Sequence, residues 1–337
     1  MRRHTMIATM AALVLTIAWP AQANVVIETV QVGNVGNVGE LSGTNAGGAG
    51  LDRICGAVDY VYDIGKYEIT TGQYTEFLNA VAATDTYGLY NLDMWGYDSG
   101  CKIQRTGPSG SYAYSVEPEF ANRPVNLVSW GDAARFANWM HNGQPTGAQG
   151  LSTTENGSYF LNGATTQEQL IAVERTPDAT WVIPSEDEWY KAAYHKNDGV
   201  TGNYYDFSTG SNDIPSNLLA DPDPGNNGNF FQGDLTIGYP YYRTEVGEFE
   251  NSASPYGTFD MSGNVWEWNE AITYNAYRCY RGGCYWDDHF LLQASYRADG
   301  DRPVLEYDII GFRLSRVPEP ASFVMLCLAG LVATRRR

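Results

Sequence analysis

Basic residues and histidines are scarce in this sequence. Its 337 residues include 21 Lys and Arg against 39 Asp and Glu, which gives a net charge of −18. Because phosphate binding requires positive charge, we do not expect nucleic acid as a partner. The four His residues stand on separate segments, so an iron site built from two or three of them is not expected. P-loop and G-x-S-x-G motifs are also absent. An acidic surface suits solubility outside the cell and binding of divalent cations such as Ca²⁺.

Cysteine is also infrequent, with five residues in the chain, of which Cys327 lies near the C-terminus. The other four are Cys55, Cys101, Cys279 and Cys284. In an oxidising compartment an even number of cysteines allows two disulfides, with three possible pairings. The sequence does not distinguish among these pairings.

Long apolar runs are missing, and the two short ones stand at the ends of the chain. The first, residues 6–19, follows a basic start (MRRH) and precedes Pro20 and the sequence AQA at 21–23. A basic segment, a short apolar segment and an A-x-A site occur in the order of a secretory signal peptide. We therefore expect residues 1–23 to be a signal peptide, rather than a buried N-terminal helix.

The second apolar run, residues 321–333, follows the sequence VPEP at 317–320 and precedes three arginines at 335–337. The run is short for a membrane helix, and the arginines suit the cytoplasmic side of a membrane. This order resembles a PEP-CTERM sorting tail. The resemblance implies export, recognition by an exosortase and transient anchoring by residues 317–337. The protein would then reach the cell envelope, the surface or an exopolysaccharide matrix.

The interior of the chain predicts an α+β fold that is rich in loops. Residues 24–57 predict a leading strand followed by a Gly/Asn-rich loop. Capping boxes predict helices that begin at Thr70, Ser129 and Ser185. Short strand-like runs lie at 60–67 and 181–183. The long Gly-, Asn-, Asp- and Pro-rich stretches are 84–122, 142–178 and 197–258.

Six segments occur in an order that closely resembles the formylglycine-generating enzyme family, also called the sulfatase-modifying factor family. The segments are YDIGKYEIT (62–70), RPVNLVSW (123–130), IPSEDEW (183–189), GNVWEW (263–268), RGG (281–283) and GFR (311–313). The likeness spans about residues 58–316. It implies a modified C-type-lectin-like α+β domain with little regular structure. The family includes copper-dependent oxidases that form formylglycine, iron-dependent sulfoxide synthases and members without known activity.

The resemblance also implies a structural Ca²⁺ near the segment GNVWEW. Its ligands would be the side chains of Asp260 and Glu267 and the backbone carbonyls of Gly263 and Val265. Two carboxylates seven residues apart, with a glycine between them for a tight turn, suit a cation that takes only oxygen ligands. The alternative is that Glu267 caps a turn and Asp260 is solvated. Residues of a second family calcium site could include Asn229 and Asp234.

The copper-dependent oxidases of the family require two cysteines, five residues apart, just after the Gly-Gly segment. Those positions hold Asp287 and Leu292, and neither can replace a thiolate on Cu(I). Cys279 and Cys284 are also five apart but lie earlier in the chain, where we favour disulfides over a relocated copper site. His289 is the one histidine beside acidic residues, and the alternative to an iron site there is a solvated loop tip. Copper and iron are therefore not expected.

Two functions from different classes remain. The first is a binding module for exopolysaccharide or cell-surface glycan, in which exposed aromatic side chains stack on sugars and Ca²⁺ bridges sugar hydroxyls or acidic polymer. Its surface candidates are Trp95, Tyr97, Asp98, Trp286 and Asp287. The second is a metal-dependent oxidoreductase that uses copper at Cys279 and Cys284 or iron near His289.

Overall fold

Residues 25–318 are described by a computed structural model, and the expected signal peptide and most of the sorting tail lie outside them. The helices are Thr71–Val81 (α1), Asp93–Gly96 (α2), Trp130–His141 (α3), Gln167–Ile171 (α4) and Glu186–Tyr194 (α5). The strands are Thr29–Val32 (β1), Glu40–Ser42 (β2), Arg53–Cys55 (β3), Tyr62–Gly65 (β4), Ile103–Thr106 (β5), Ala113–Val116 (β6), Trp181–Val182 (β7), Trp266–Thr273 (β8), Tyr277–Arg281 (β9), Ile310–Gly311 (β10) and Ser315–Arg316 (β11). In this part of the chain no helix is both long enough and apolar enough to cross a membrane.

The three main helices begin where their capping boxes predict. The Thr70 hydroxyl accepts a hydrogen bond from the Gln73 backbone N–H at 3.2 Å, and the Gln73 side chain accepts from the Thr70 N–H at 2.9 Å. Ser129 and Ser185 start α3 and α5 in the same way. Each box satisfies two N–H groups that a helix start would otherwise leave unpaired.

Two sheets organise the domain. The first has the order β1-β4-β11-β7, in which β4 pairs antiparallel with both β1 and β11, so strands from the two ends of the described chain flank β4. The second has the order β10-β8-β9, with β8 and β9 antiparallel and β10 parallel to β8. The short β10 brings residues 308–309, which precede it, next to the sheet.

Aromatic side chains fill the core between α1, α3 and the second half of the chain. Phe136 of α3 packs with ring centroids 5.2 Å from Phe77, 5.6 Å from Trp139 and 5.5 Å from Phe312. All four side chains are fully buried. The predicted α+β, loop-rich fold is confirmed, and this core explains how so little regular structure forms a stable domain.

Three of the stretches predicted as loops contain elements that local patterns did not predict. Residues 24–57 hold the antiparallel pair β2–β3 in addition to the leading strand β1. Residues 84–122 hold α2 and the hairpin β5–β6, and residues 142–178 hold α4. Residues 197–258 contain no α-helix or β-strand within the described chain. A polar network organises part of this stretch: the buried Asp223 carboxylate accepts hydrogen bonds from Gly225, Asn251 and Ser252.

Candidate functional site

A cavity of about 410 Å³ opens where four segments of the chain meet. The segments are the turn after α2, the loop at 242, the turn after β9 and the approach to β10. We call this the aromatic pocket. Its lining residues are Tyr97, Asp98, Ser99, Tyr242, Tyr285, Trp286, Asp308 and Ile309.

The turn after α2 is held in place by buried polar side chains. The Ser99 carbonyl accepts hydrogen bonds from Asn126 Nδ2 at 2.8 Å and from Arg243 Nη1 at 2.5 Å. Asn126 Nδ2 also donates to the backbone carbonyl of Asp308 at 2.5 Å. One amide group therefore joins two walls of the aromatic pocket.

Asp308 is the most firmly positioned carboxylate in the pocket. Its Oδ2 atom accepts a hydrogen bond from the Tyr285 hydroxyl at 3.3 Å and another from the Ser99 hydroxyl. Two donors on one oxygen fix the orientation of the side chain. Burial raises the pKa of Tyr285, so this phenol keeps its proton and remains a donor.

The aromatic walls combine packed and exposed rings. The Tyr242 and Tyr285 rings lie 5.7 Å apart, whereas Trp286 is 61% exposed and Tyr97 is 53% exposed. The φ angle of Tyr242 is +56°, a left-handed conformation that bulky residues rarely adopt. Such backbone strain persists only where the surroundings enforce it, and it is common at ligand sites.

Behind the pocket lies a buried arginine that the sequence did not single out. Arg243 is fully buried, and its Nε and Nη2 atoms lack hydrogen-bond partners among the residues that the structure describes. Burial lowers the pKa of Arg243. Arg243 stands in a tyrosine-rich stretch that matches no sequence motif. Its position behind the pocket is therefore visible only from its long-range hydrogen bond to Ser99.

Three of the five predicted surface candidates meet in this pocket, namely Tyr97, Asp98 and Trp286. Trp95 lies nearby on α2 and is 39% exposed, but it does not line the cavity. Asp287 does not line the cavity, and its Oδ2 accepts a hydrogen bond from the Cys284 backbone N–H at 3.0 Å. Tyr242 and Asp308 are pocket residues that the sequence did not suggest.

The disulfide expectation is wrong in this structure, because Cys55, Cys101, Cys279 and Cys284 are all free and buried. Each thiol has other polar neighbours: Cys279 lies 3.9 Å from Thr273 Oγ1, and Cys55 lies 3.4 Å from Arg281 Nη2. Burial raises the pKa of Cys279 to about 11 and that of Cys284 well above its usual value. Both thiols therefore stay protonated at neutral pH in the metal-free protein.

Asp287 and Leu292, which stand where the oxidases are expected to have their copper cysteines, differ in how deeply they are buried. Asp287 is half-buried, and burial raises its pKa. Leu292 is fully buried in a small cluster with Phe207 and Phe230. His289 is half-buried and opens a 3₁₀ turn, His289–Leu292. Within residues 25–318, no three His, Cys, Asp or Glu side chains converge to hold a metal ion.

The predicted calcium residues fit a hard cation in part. Gly263 has φ +99°, and an added Cβ would lie 2.1 Å from the Asn229 carbonyl oxygen, so this turn needs glycine. Asp260 accepts one hydrogen bond at Oδ2, from the Gly247 N–H at 2.6 Å. Glu267 is instead held by Arg313, with Nε–Oε2 at 2.5 Å and Nη2–Oε1 at 2.6 Å. Val265 is buried beside them.

Glu68 adds a third carboxylate to this region that the sequence did not suggest. Both of its oxygens are buried and lack hydrogen-bond partners among the described residues. Burial and the neighbouring Asp260 and Glu267 carboxylates raise the pKa of Glu68 well above its usual value. Burial likewise raises the pKa of Asp260 to about 6. Arg313 occupies Glu267, so Glu68 and Asp260 are the side-chain ligands that remain available to a divalent cation such as Ca²⁺.

Asn229 and Asp234, the candidates for a second calcium site, do not form a pair of available ligands. Asn229 is buried, and its amide N–H groups bond to the Tyr242 carbonyl and to Asn264 Oδ1. Its own Oδ1 lacks a partner among the described residues. Asp234 is exposed and caps the next backbone N–H.

Comparison with known proteins identifies the family. Residues 58–317 match the family model described as sulfatase-modifying factor enzyme 1-like domain. The chain belongs to this sulfatase-modifying factor family. No curated protein sequence matches it. Among solved structures, variable protein 1 of Treponema denticola is similar at 16% identity, with a TM-score of 0.53 over 88% of this chain and 98% of that one.

Two further solved structures are similar at lower TM-scores. CarF is 21% identical with a TM-score of 0.45, covering 87% of this chain and 99% of that one. PvdO from Pseudomonas aeruginosa is 17% identical with a TM-score of 0.47, covering 86% and 94%. At 16% identity, the likeness to the Treponema denticola variable protein supports the fold alone. It gives no information on a ligand or a reaction.

Proposed function

We propose that this sulfatase-modifying factor domain is an exported, non-catalytic binding module whose aromatic pocket takes a carbohydrate. The observation that carries the proposal is the convergence of Tyr97, Asp98 and Trp286 from separate segments on one open cavity. Exposed aromatic faces provide apolar stacking surface, and carboxylates accept hydrogen bonds from sugar hydroxyls. A concave site with a few placed polar groups is typical of small-molecule binding.

The setting supports a glycan as the occupant. The terminal segments predict export by the secretion machinery, exosortase recognition and delivery to the envelope or an exopolysaccharide matrix. Both segments lie almost wholly outside the described residues, so this part of the proposal rests on their sequence. The strongly acidic composition is consistent with a protein that remains soluble outside the cell.

Oxidase chemistry has less support from the residues. The two positions that bear copper thiolates in the oxidases hold Asp287 and Leu292. Cys279 and Cys284 are both buried, and neither lines the aromatic pocket. Oxygen consumption by copper-loaded protein supplied with a cysteine peptide would contradict the non-catalytic proposal.

A glycan array that includes bacterial exopolysaccharides tests the proposal. We expect binding by the native protein and at least tenfold weaker binding by Trp286→Ala. Tyr274→Ala is the matched control, because Tyr274 is 56% exposed in the turn between β8 and β9 and does not line the pocket. Absence of glycan binding, or equal loss in both variants, would overturn the proposal.

A further inference from the structure

The polar groups that face the aromatic pocket carry charge of one sign. Among the lining residues, Asp98 and Asp308 are acidic and none is basic. Asp98 is exposed at the mouth, and Asp308 is half-buried in the wall. Because Ser99 and Tyr285 both donate to Asp308 Oδ2, the other oxygen, Oδ1, is the one left for an occupant.

The aromatic part of the lining also favours a positively charged occupant. The faces of Trp and Tyr rings carry partial negative charge and attract cations that lie within about 6 Å of the ring centroid. Tyr97, Tyr242, Tyr285 and Trp286 all contribute to the walls. An occupant that places a positive charge among these rings and the two carboxylates would gain from both kinds of contact.

The nearby arginine does not reverse this preference. Arg243 is fully buried and is not part of the lining. Its Nη1 donates to the carbonyl of Ser99, which is itself a lining residue. An anionic sugar in the cavity would therefore face Asp98 and Asp308 directly, whereas Arg243 is not part of the lining. Lys102 Nζ donates to the Tyr97 carbonyl at 2.6 Å and is likewise not part of the lining, so the charged side chains that line the cavity are the two carboxylates.

We propose that the aromatic pocket selects an amino sugar whose amine is free and protonated, with Asp308 and Asp98 as the carboxylates that bind the ammonium group. The inference rests on the proposed carbohydrate-binding function and names the class of sugar. Acetylation of the amine removes its charge and adds bulk, so an N-acetylated sugar is a poor substitute. Uronate-rich polymers, which are anionic, are excluded by the same carboxylates.

Calorimetric titration of the full chain tests the proposal with two chemically matched oligosaccharides. One is a fully deacetylated glucosamine hexamer, and the other is the same hexamer after N-acetylation. We expect the deacetylated form to bind at least tenfold tighter, and the difference to shrink at high salt because part of it is electrostatic. Equal affinities would overturn the amine assignment and leave carbohydrate binding intact.

Variants assign the contact to particular residues. Asp308→Asn and Asp98→Asn should each weaken binding of the deacetylated hexamer several-fold and change binding of the acetylated one little. Asp213→Asn, on an exposed loop outside the pocket, is the control. Asp98 is exposed, so its variant reports on the charge even if Asp308→Asn unfolds the turn. Unchanged affinity in both pocket variants would overturn the assignment.

Two further titrations separate the alternatives. Tighter binding of a polygalacturonate oligomer would overturn the proposal and point to Arg243 as the charged partner. Tighter binding of a lysine-rich peptide than of the deacetylated hexamer would overturn the choice of a sugar. If neither hexamer binds and the glycan array is blank, the proposed function itself fails, and that outcome differs from equal binding of the two hexamers.

Discussion

Arg313 donates two hydrogen bonds to Glu267, and both side chains are fully buried. Trp189 Nε1 donates a third to the same carboxylate at 2.8 Å. The pair joins the family segments GFR, GNVWEW and IPSEDEW at one point. One buried carboxylate therefore holds together three segments that are far apart in the sequence.

Replacing Glu267 by Gln should be strongly destabilising, because it removes the carboxylate that accepts two hydrogen bonds from the buried Arg313 guanidinium. Removing one member of a buried pair typically costs about 3–5 kcal/mol. Urea unfolding of the variant measures the loss. Glu28→Gln is the control, since Glu28 meets Lys66 at 3.7 Å on the surface, where a pair contributes about 0–1 kcal/mol. Similar losses in the two variants would show that the buried pair is not a main support of the fold.

Stability should fall as pH rises from mildly acidic to mildly alkaline. Burial, together with the Asp132 carboxylate that bonds to it, raises the pKa of Glu306 from 4.5 to about 8. The folded state therefore binds a proton that the unfolded state releases near pH 4.5. The associated stability is complete below pH 4.5 and is lost as pH passes through about 8. Unfolding free energies measured across pH 4–9 should decline less in Glu306→Gln. If the unfolding free energy declined equally with pH in the native protein and in Glu306→Gln, Glu306 would not be the group responsible.

The four described thiols should resist modification until the protein unfolds. A buried thiol with a raised pKa is neither accessible nor ionised, so alkylation of Cys55, Cys101, Cys279 and Cys284 should be slow in the native protein. Complete alkylation should follow in denaturant without reductant. Peptide mass spectrometry follows each cysteine separately. If any two of these peptides were recovered from freshly folded protein joined by a disulfide, the prediction that the four cysteines are free would be wrong.

Calcium should stabilise the domain through Asp260. We expect Ca²⁺ to raise the melting temperature of the native protein and EDTA to reverse the effect, because a ligand that binds only the folded state stabilises it by mass action. Asp260→Asn should abolish most of this rise, and Glu68→Gln should reduce it. The exposed Asp213→Asn is the control. An unchanged calcium effect in both Asp260→Asn and Glu68→Gln would place any calcium elsewhere.

Local signals in the sequence were sufficient to predict the three main helices and insufficient to predict the pocket. The caps at Thr70, Ser129 and Ser185 depend on residues three apart, so their pattern is visible in the chain. Tyr97 and Trp286 could be suggested by residue type alone. Asp308 depends on donors from distant segments, as its bond to Ser99 spans 209 residues.

Local sequence patterns also failed to predict where the buried charged groups lie. Arg243 reaches Ser99 across 144 residues, and nothing around it forms a motif. Glu68 lies within a family segment, yet its unpartnered oxygens appear only when Asp260 and Glu267 fold against it. The disulfide expectation failed for a related reason, because cysteine number and compartment say nothing of where each sulfur lies.

Hydrogen-exchange mass spectrometry of the full chain, with and without the tightest glycan from the array, shows whether the glycan occupies the aromatic pocket. We expect slower exchange in peptides that contain residues 97–99, 285–286 and 308–309, and no change around Tyr274. Slower exchange confined to other segments, with these three unchanged, would show that the glycan binds elsewhere and that the aromatic pocket is not its site.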